Sequence, residues 1–547
     1  MHGIKSPIII LICLVTLLFA VADPSLAQPL PGYVVHFDFI ANQLEARQLV
    51  RIAAASGARV INIVPPAHIW ENQQALRMLD VILQETAHLQ LAVLFTPIDA
   101  SYPPDAHGRR ENYLYKTILT EPGQMPDGTP TTKYFLTTAG RAGYGEWMEE
   151  ETRYYARHYG KLPNLLGINL GPFSEPFASE RGGFLQYLRG TNCYELTQYT
   201  PEAARLWHEW LRAHFCDITG VNRDYQTSFA SLQEIPLPRN ERDERFGTHA
   251  GAAYSDFVRT INDWFIERYE RCRHIWHEES GRNDVPFILQ FSGFVAEKLA
   301  KARPGAASFD LVGWITRADA VGLSLYTNSG YPDLGHASVI ATVRLLALAR
   351  DLGKDVFVLE GGCEAPNVVL NKAELRFFAS AAAQLSPKVW IYEFLKDKFD
   401  EEYQTNPGKL VRANGHTRPA AVRLLRSLFA ELKNRPVVEE TPLLAVMVDT
   451  AATREDEGLA RATLALYDLA ATLPVRWVNA ESARTIPGDV PCVRLEHPLQ
   501  EDEATRALMS SPQPEPEKRK EWLNRLATAF GKQPFFLEKT TKTGNTE

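Results

Sequence analysis

The chain delivers two carboxylates in the same way. Glu175 follows the apolar run Leu165, Leu166, Ile168 and Leu170 in LLGINLGPFSEP, and Glu360 closes the run Val356 to Leu359 in DVFVLEGG. Small residues flank each acid: Gly171, Pro172 and Ser174 before Glu175, Gly361 and Gly362 after Glu360. Apolar runs without alternation read as strands hidden on both faces, the pattern of a parallel sheet covered by helices. Just past the C-terminal ends of such strands the loops of a barrel converge, and barrel enzymes keep their chemistry there. Two acids facing each other across that opening suit cleavage of a glycosidic bond. One, protonated, assists the leaving oxygen; the other, ionised, attacks the anomeric carbon or activates water. Their surroundings must then hold the two pKa values apart. Glu175 alone would read as a solvated loop residue. Its repetition in Glu360 makes the pair a catalytic candidate.

The elements that must position this pair repeat with a strand-helix period. Strands are expected at 33–39, 59–64, 90–95, 165–170, 285–291, 320–326, 355–360 and 388–394. Amphipathic helices are expected at 43–56, 75–88, 146–159, 201–215, 253–277, 339–352, 377–385 and 416–432. Eight strands alternating with helices is the count a (β/α)8 TIM barrel needs. The rival, a doubly wound open sheet, would bring a Gly-rich phosphate turn after an early strand, and none is present. Residues 96–140 form a loop long enough to be a binding loop or lid, with Tyr102, Tyr113, Tyr115, Tyr134 and Phe135 in it. The expected organisation is a barrel domain over 32–435, a small C-terminal α/β domain over 441–498, and a charged, Pro-rich disordered tail over 499–547.

Length and charge bound the partners. At 547 residues the chain holds one barrel-sized domain and a smaller one, and its net charge of -8 gives no reason to expect nucleic acid or an anionic membrane surface. Lys5 precedes the apolar run Pro7 to Ala22, and small residues follow at Ala22, Ser25 and Ala27, so 1–27 reads as a secretory signal. An uncleaved anchor is the rival, although the run is short for a span of ~20 residues. The body is expected to be periplasmic or secreted, without an integral membrane domain once the signal is removed. Five cysteines remain beyond Cys13, too widely spaced for a disulfide scaffold, although one bridge such as Cys193 to Cys216 would suit an oxidising compartment.

Other positions carry weaker signals. His36 and Asp38 alternate onto one face at the end of the first strand and are candidate partners for sugar hydroxyls, or else a structural pair. Trp390 and Tyr392 share a face of the last strand and form a candidate stacking platform, with core packing the alternative for Trp390. Glu393, on the opposite face from these two, and Glu180 and Glu364 compete with the chosen acids. His274 and His277 have helical spacing without a third ligand, so a solvated helix face is preferred and neither a metal nor a cofactor is expected. No G-x-S-x-G elbow occurs to support a serine hydrolase.

These stretches together resemble the clan A glycoside hydrolases, and within them family 42, best known as β-galactosidases. Glu175-Pro176 sits where the clan has an Asn-Glu-Pro type motif, which implies Glu175 as acid/base. Glu360 sits where the clan has its nucleophile. Trp207 to Phe229, Tyr254 to Tyr269 and Asp319 to Tyr326 are similar to family segments, the last implying that Tyr326 contacts the nucleophile. The resemblance covers roughly 32–432 and implies a retaining β-glycosidase with carboxyl groups ~5 to 5.5 Å apart. The chain departs from the pattern in having Ser174 where the family has Asn before the acid/base, in a turn about two residues longer. Ser makes one hydrogen bond to a sugar 2-hydroxyl but lacks the amide's reach. The second domain is also shorter than the family's trimerisation domain, so a trimer is not carried over. A catalytically inactive barrel that binds, assembles or exports polysaccharide is the alternative that this departure favours.

Overall fold

The computed structural model describes residues 30–37, 40–66, 68–97, 124, 126–128, 143–172, 178–180, 194–196, 199–240, 242–291, 311–326, 349–350, 352–362, 387–396, 409–433, 444–448, 475–478 and 492–495. In chain order the strands are β1 (Leu30–His36), β2 (Val60–Val64), β3 (Ala92–Phe95), β4 (Leu165–Pro172), β5 (Ala178–Glu180), β6 (Tyr194–Leu196), β7 (Phe287–Phe291), β8 (Ala320–Tyr326), β9 (Asp355–Gly362), β10 (Val389–Phe394), β11 (Leu444–Val448), β12 (Val475–Val478) and β13 (Cys492–Leu495). The helices are α1 (Gln43–Ala55), α2 (Gln73–His88), α3 (Gly143–Tyr159), α4 (Pro201–His214), α5 (Ile218–Tyr225), α6 (Ala250–Ser280), α7 (Leu311–Arg317) and α8 (Pro419–Lys433).

Eight strands close into one parallel barrel in the order β1, β2, β3, β4, β7, β8, β9, β10 and back to β1. This is the expected (β/α)8 architecture. β5 and β6 form a small antiparallel pair outside it. The first strand begins earlier than expected, because Leu30 already pairs with Val389 of β10. β11 lies between β12 and β13 in a separate parallel sheet, within the span expected for the small α/β domain. The signal segment, most of the 96–140 loop, the helix at 377–385 and the tail fall outside the described residues.

Alternation along each strand divides the core in two. Val34, Val60, Leu94, Ile288, Phe357, Leu359 and Ile391 pack together inside the barrel. Their sequence neighbours Tyr33, Ile61, Val93, Phe287, Val358 and Trp390 pack outward against the helices. Glycines make room for the lumen side chains. A Cβ on Gly322 would lie 2.4 Å from Leu359 Cδ1, and one on Gly32 would lie 2.4 Å from the Val60 carbonyl oxygen.

The helices are capped by their sequence. Asn42 accepts from the Glu45 amide at 3.0 Å while Glu45 accepts from the Ala41 amide at 2.6 Å, a reciprocal cap on α1. Asn72 caps α2, Thr200 caps α4 ahead of Pro201, and Asp217 caps α5. The long α6 ends at Gly281, whose φ of 65° favours glycine. Asn222, in the segment that resembles the family, organises a turn. Its side-chain oxygen accepts from Thr227 Oγ1 and the Phe229 amide, and its own amide donates to the Phe229 carbonyl.

Candidate active site at the C-terminal mouth of the barrel

The lumen is apolar toward the strand N-termini and becomes polar toward the C-termini. Asn62 on β2, Asn169 on β4 and Gln290 on β7 are buried, and Thr96 follows the end of β3. Their hydrogen bonds form a continuous chain. The Asn169 amide donates to Gln290 Oε1 at 2.8 Å and to Thr96 Oγ1 at 2.8 Å. The Thr96 hydroxyl donates to Asn62 Oδ1 at 2.8 Å, and the Asn62 amide donates to the Leu359 carbonyl at a long 3.4 Å. The chain therefore crosses from β7 through β4, β3 and β2 to β9. Leaving any one of these buried groups without a partner would cost roughly 1 to 3 kcal/mol.

Glu360 stands at the C-terminal end of β9, one residue beyond that carbonyl. Gly322 pairs with Phe357 and Leu323 with Val358, and the register then steps so that Ser324 meets Glu360 rather than Leu359. Ala320 of β8 lies in the lumen cluster, and Ser324 is the even-numbered position that follows it and Gly322. The step puts the backbone of Glu360 in register with Ser324, a β-bulge in β9 at Leu359. Tyr326, the last residue of β8, pairs with Gly362 just beyond Glu360. β4 also shifts register near its end, between Asn169 and Pro172. Glu175, Ser174 and Asp38 lie outside the described residues.

His36 ends β1 opposite Val64, on the alternation that puts Val34 into the lumen. Trp390 and Tyr392 do not form a platform at the mouth, and alternation is the physical reason. Val389 and Ile391 fill the lumen, so the two rings between and beyond them point to the helix layer, where both are fully buried. Trp390 lies 6.3 Å from the Phe429 ring of α8, and Tyr392 lies 6.4 Å from Tyr33. They are core packing.

The closed eight-stranded barrel with a register step at a strand-end carboxylate can be set beside known proteins. The β-galactosidase from the psychrophilic Marinomonas ef1 superposes with a TM-score of 0.60 at 14% identity, covering 90% of this chain and 74% of that one. A GH42 β-galactosidase from G. stearothermophilus gives 0.60 at 12% identity, covering 85% and 67%. The catalytic domain of a β-amylase from Paenibacillus polymyxa gives 0.53 at 12% identity, covering 74% and 100%. The fold resembles that of the GH42 β-galactosidases. No family model matches the sequence, and no curated protein matches it.

One wall of the mouth is fixed by a buried acid. The loop after β2 passes through Pro65 and Pro66 to His68, whose φ of 48° is left-handed. The His68 backbone amide donates to Glu151, which is fully buried on α3. Burial pushes the Glu151 carboxyl up to about 8, and burial also lowers the His68 imidazole. Trp70 stacks between His68 at 4.5 Å and Tyr154 at 4.6 Å, completing the anchor.

The opposite end of the barrel is built for stability. Asp319, just before β8, accepts from the Phe287 amide at 3.0 Å and Arg273 Nη1 at 3.0 Å, and pairs with His277 Nε2 at 2.7 Å. His277 is thereby occupied on both nitrogens, since Nδ1 meets the Arg282 carbonyl at 2.9 Å. A cavity of about 470 Å³ opens there among Arg273, Arg317, Asp319 and Lys354. Among the described residues no group of three or more His, Cys, Asp or Glu side chains could hold a metal ion. No helix of the described residues is long and apolar enough to cross a membrane. Cys216 is an exposed thiol, and its suggested partner Cys193 lies outside the described residues.

The polar lumen chain was missed in the sequence. Its signal was there: RVINIV, GINLG and FILQF each carry one amide side chain inside an apolar run. Such a group is tolerated only with a partner.

Proposed function

We propose that this protein is an exported retaining β-glycosidase, β-galactosidase-like in its substrates, with Glu360 as nucleophile and Glu175 as acid/base. The observation that carries the reading is the position of Glu360: at the C-terminal end of a barrel strand, brought by a register step into pairing with Ser324 of its neighbour. β4, whose sequence runs on to Glu175, lies three strands away in the same barrel. In the first step the Glu360 carboxylate attacks the anomeric carbon while Glu175 gives its proton to the departing oxygen, leaving a glycosyl ester. In the second, Glu175 takes a proton from water, which attacks the same carbon and frees Glu360. Two carboxylates ~5 to 5.5 Å apart suffice for this chemistry. His36, Asp38 and Ser174 are proposed to bind sugar hydroxyls, and Tyr326 to orient Glu360. The signal-like segment ahead of Ala27 supports a periplasmic or secreted location.

A second reading, an inactive polysaccharide-binding barrel, is favoured by Ser174 alone. Turnover of a panel of 4-nitrophenyl β-glycosides by the wild type and by Glu360→Gln separates the two. An enzyme is expected to turn over at least one member and to lose ~10³-fold or more of kcat in the variant. Binding of oligosaccharide with no turnover by either protein would support the inactive barrel and exclude the glycosidase.

A further inference from the structure

We infer that the Asn62, Thr96, Asn169 and Gln290 side chains form a positioning strap that fixes the peptide bearing Glu360. The inference rests on Glu360 being the nucleophile, as proposed above. The Leu359 carbonyl and the Glu360 amide belong to one peptide unit, so a donor held on that carbonyl fixes the peptide plane that leads into Glu360. The unit sits at the register step between β8 and β9, where the inserted residue is left out of the regular ladder. Nothing in β8 is opposite Leu359. The donor comes instead from Asn62 of β2, which is separated from β9 by β1 and β10 and so reaches across the lumen.

The direction of the strap is determined throughout. Both amide protons of Asn169 are used, on Gln290 Oε1 and Thr96 Oγ1. The Thr96 oxygen has accepted, so its own proton goes to Asn62 Oδ1. That fixes which way round the Asn62 amide stands and leaves its N–H group to serve Leu359. Flipping the Asn62 amide would turn an N–H group on the Thr96 hydroxyl proton and an oxygen on the Leu359 carbonyl. Thr96 is therefore the hinge of the arrangement, because only a hydroxyl both accepts and donates there. The strap also joins β4, the strand leading to Glu175, to β9, which carries Glu360. It thereby ties the two acid-bearing strands to one another through side chains rather than through the sheet alone.

The test uses the full chain with Thr96→Val, which keeps the volume and removes the hydroxyl, and Thr96→Ser, which restores it. Aryl β-glycoside kinetics are measured across pH, with thermal unfolding alongside. Thr96→Val is expected to lower kcat about tenfold or more with KM within about twofold, since small misplacements of a reacting group are costly. It is also expected to displace the pH limb that reports Glu360, and Thr96→Ser should recover kcat to within about threefold. Should Thr96→Val not fold, Asn62→Leu removes the Leu359 contact at similar volume and should show the same kcat loss. A folded Thr96→Val or Asn62→Leu with wild-type kcat and pH profile, altered only in its unfolding temperature, would overturn the strap while leaving the nucleophile assignment standing. Equal inactivity of the wild type and Glu360→Gln would instead show that the underlying reading has failed, and the strap's role with it.

Discussion

Glu151 shows how much one side chain can depend on its surroundings. Its carboxyl is enclosed between α3 and the loop after β2, and burial raises it from an ordinary carboxylate value to about 8. The folded protein therefore keeps a proton that the unfolded chain gives up near 4.5. Stability must fall as pH rises from about 4.5 to about 8, because over that window the unfolded state binds fewer protons. Glu151→Gln keeps an oxygen for the His68 amide and cannot ionise. Relative to wild type it is expected to be nearly neutral at pH 4.5 and stabilising by on the order of a few kcal/mol at pH 8. Urea unfolding at both pH values checks this, and parallel behaviour of the two proteins would show that the acid does not titrate in that window. Nothing in the sequence marks Glu151, since it lies among the acids Glu149 and Glu150 on an amphipathic helix. The same holds for Asn62. A polar residue in an apolar strand asks for a partner, but the partner lies three strands further round the closed barrel on β9, and one strand's pattern cannot name it.

At the scale of elements, strand positions were legible because barrel strands are apolar on both faces, and the start of α4 because Thr200 and Pro201 mark it; α5, capped by Asp217, is too short to show a period and was not expected. Which face of a strand meets the lumen was not legible, because both faces are apolar. Trp390 and Tyr392 therefore read equally as a platform at the mouth or as core packing. Their exclusion follows only from Val389 and Ile391 occupying the interior. Register steps are likewise silent in the sequence, yet they decide that Glu360 rather than Leu359 meets Ser324. The lumen glycines carry an element-scale prediction. Gly32→Ala would set a Cβ 2.4 Å from the Val60 carbonyl oxygen, which the strand pairing holds in place. A loss of ~3 kcal/mol or more is expected from denaturant unfolding. Gly251→Ala, near the start of α6 and with nothing within 4 Å of the added carbon, should instead be neutral or stabilising by up to ~1 kcal/mol. Equal effects at the two sites would show that the lumen is looser than its packing implies.

For the whole molecule, strand count and order gave the barrel, and the barrel gave the end at which to look for chemistry. The neighbours at 12% to 14% identity share that architecture, while the residues that would do the work must be tested in this chain. A retaining mechanism passes through an ester between one carboxylate and the sugar, and that ester can be trapped with 2-deoxy-2-fluoro β-glycosides, whose second step is slow. Intact-mass and peptide mass spectrometry after incubation with a panel of these reagents, the galactoside included, is the most direct test. The expected result is one added glycosyl group, carried by the peptide that contains Glu360 and missing from Glu360→Gln. A glycosyl group on any other residue, or no adduct from any reagent while the wild type hydrolyses the matching aryl glycoside, would contradict the assignment of Glu360.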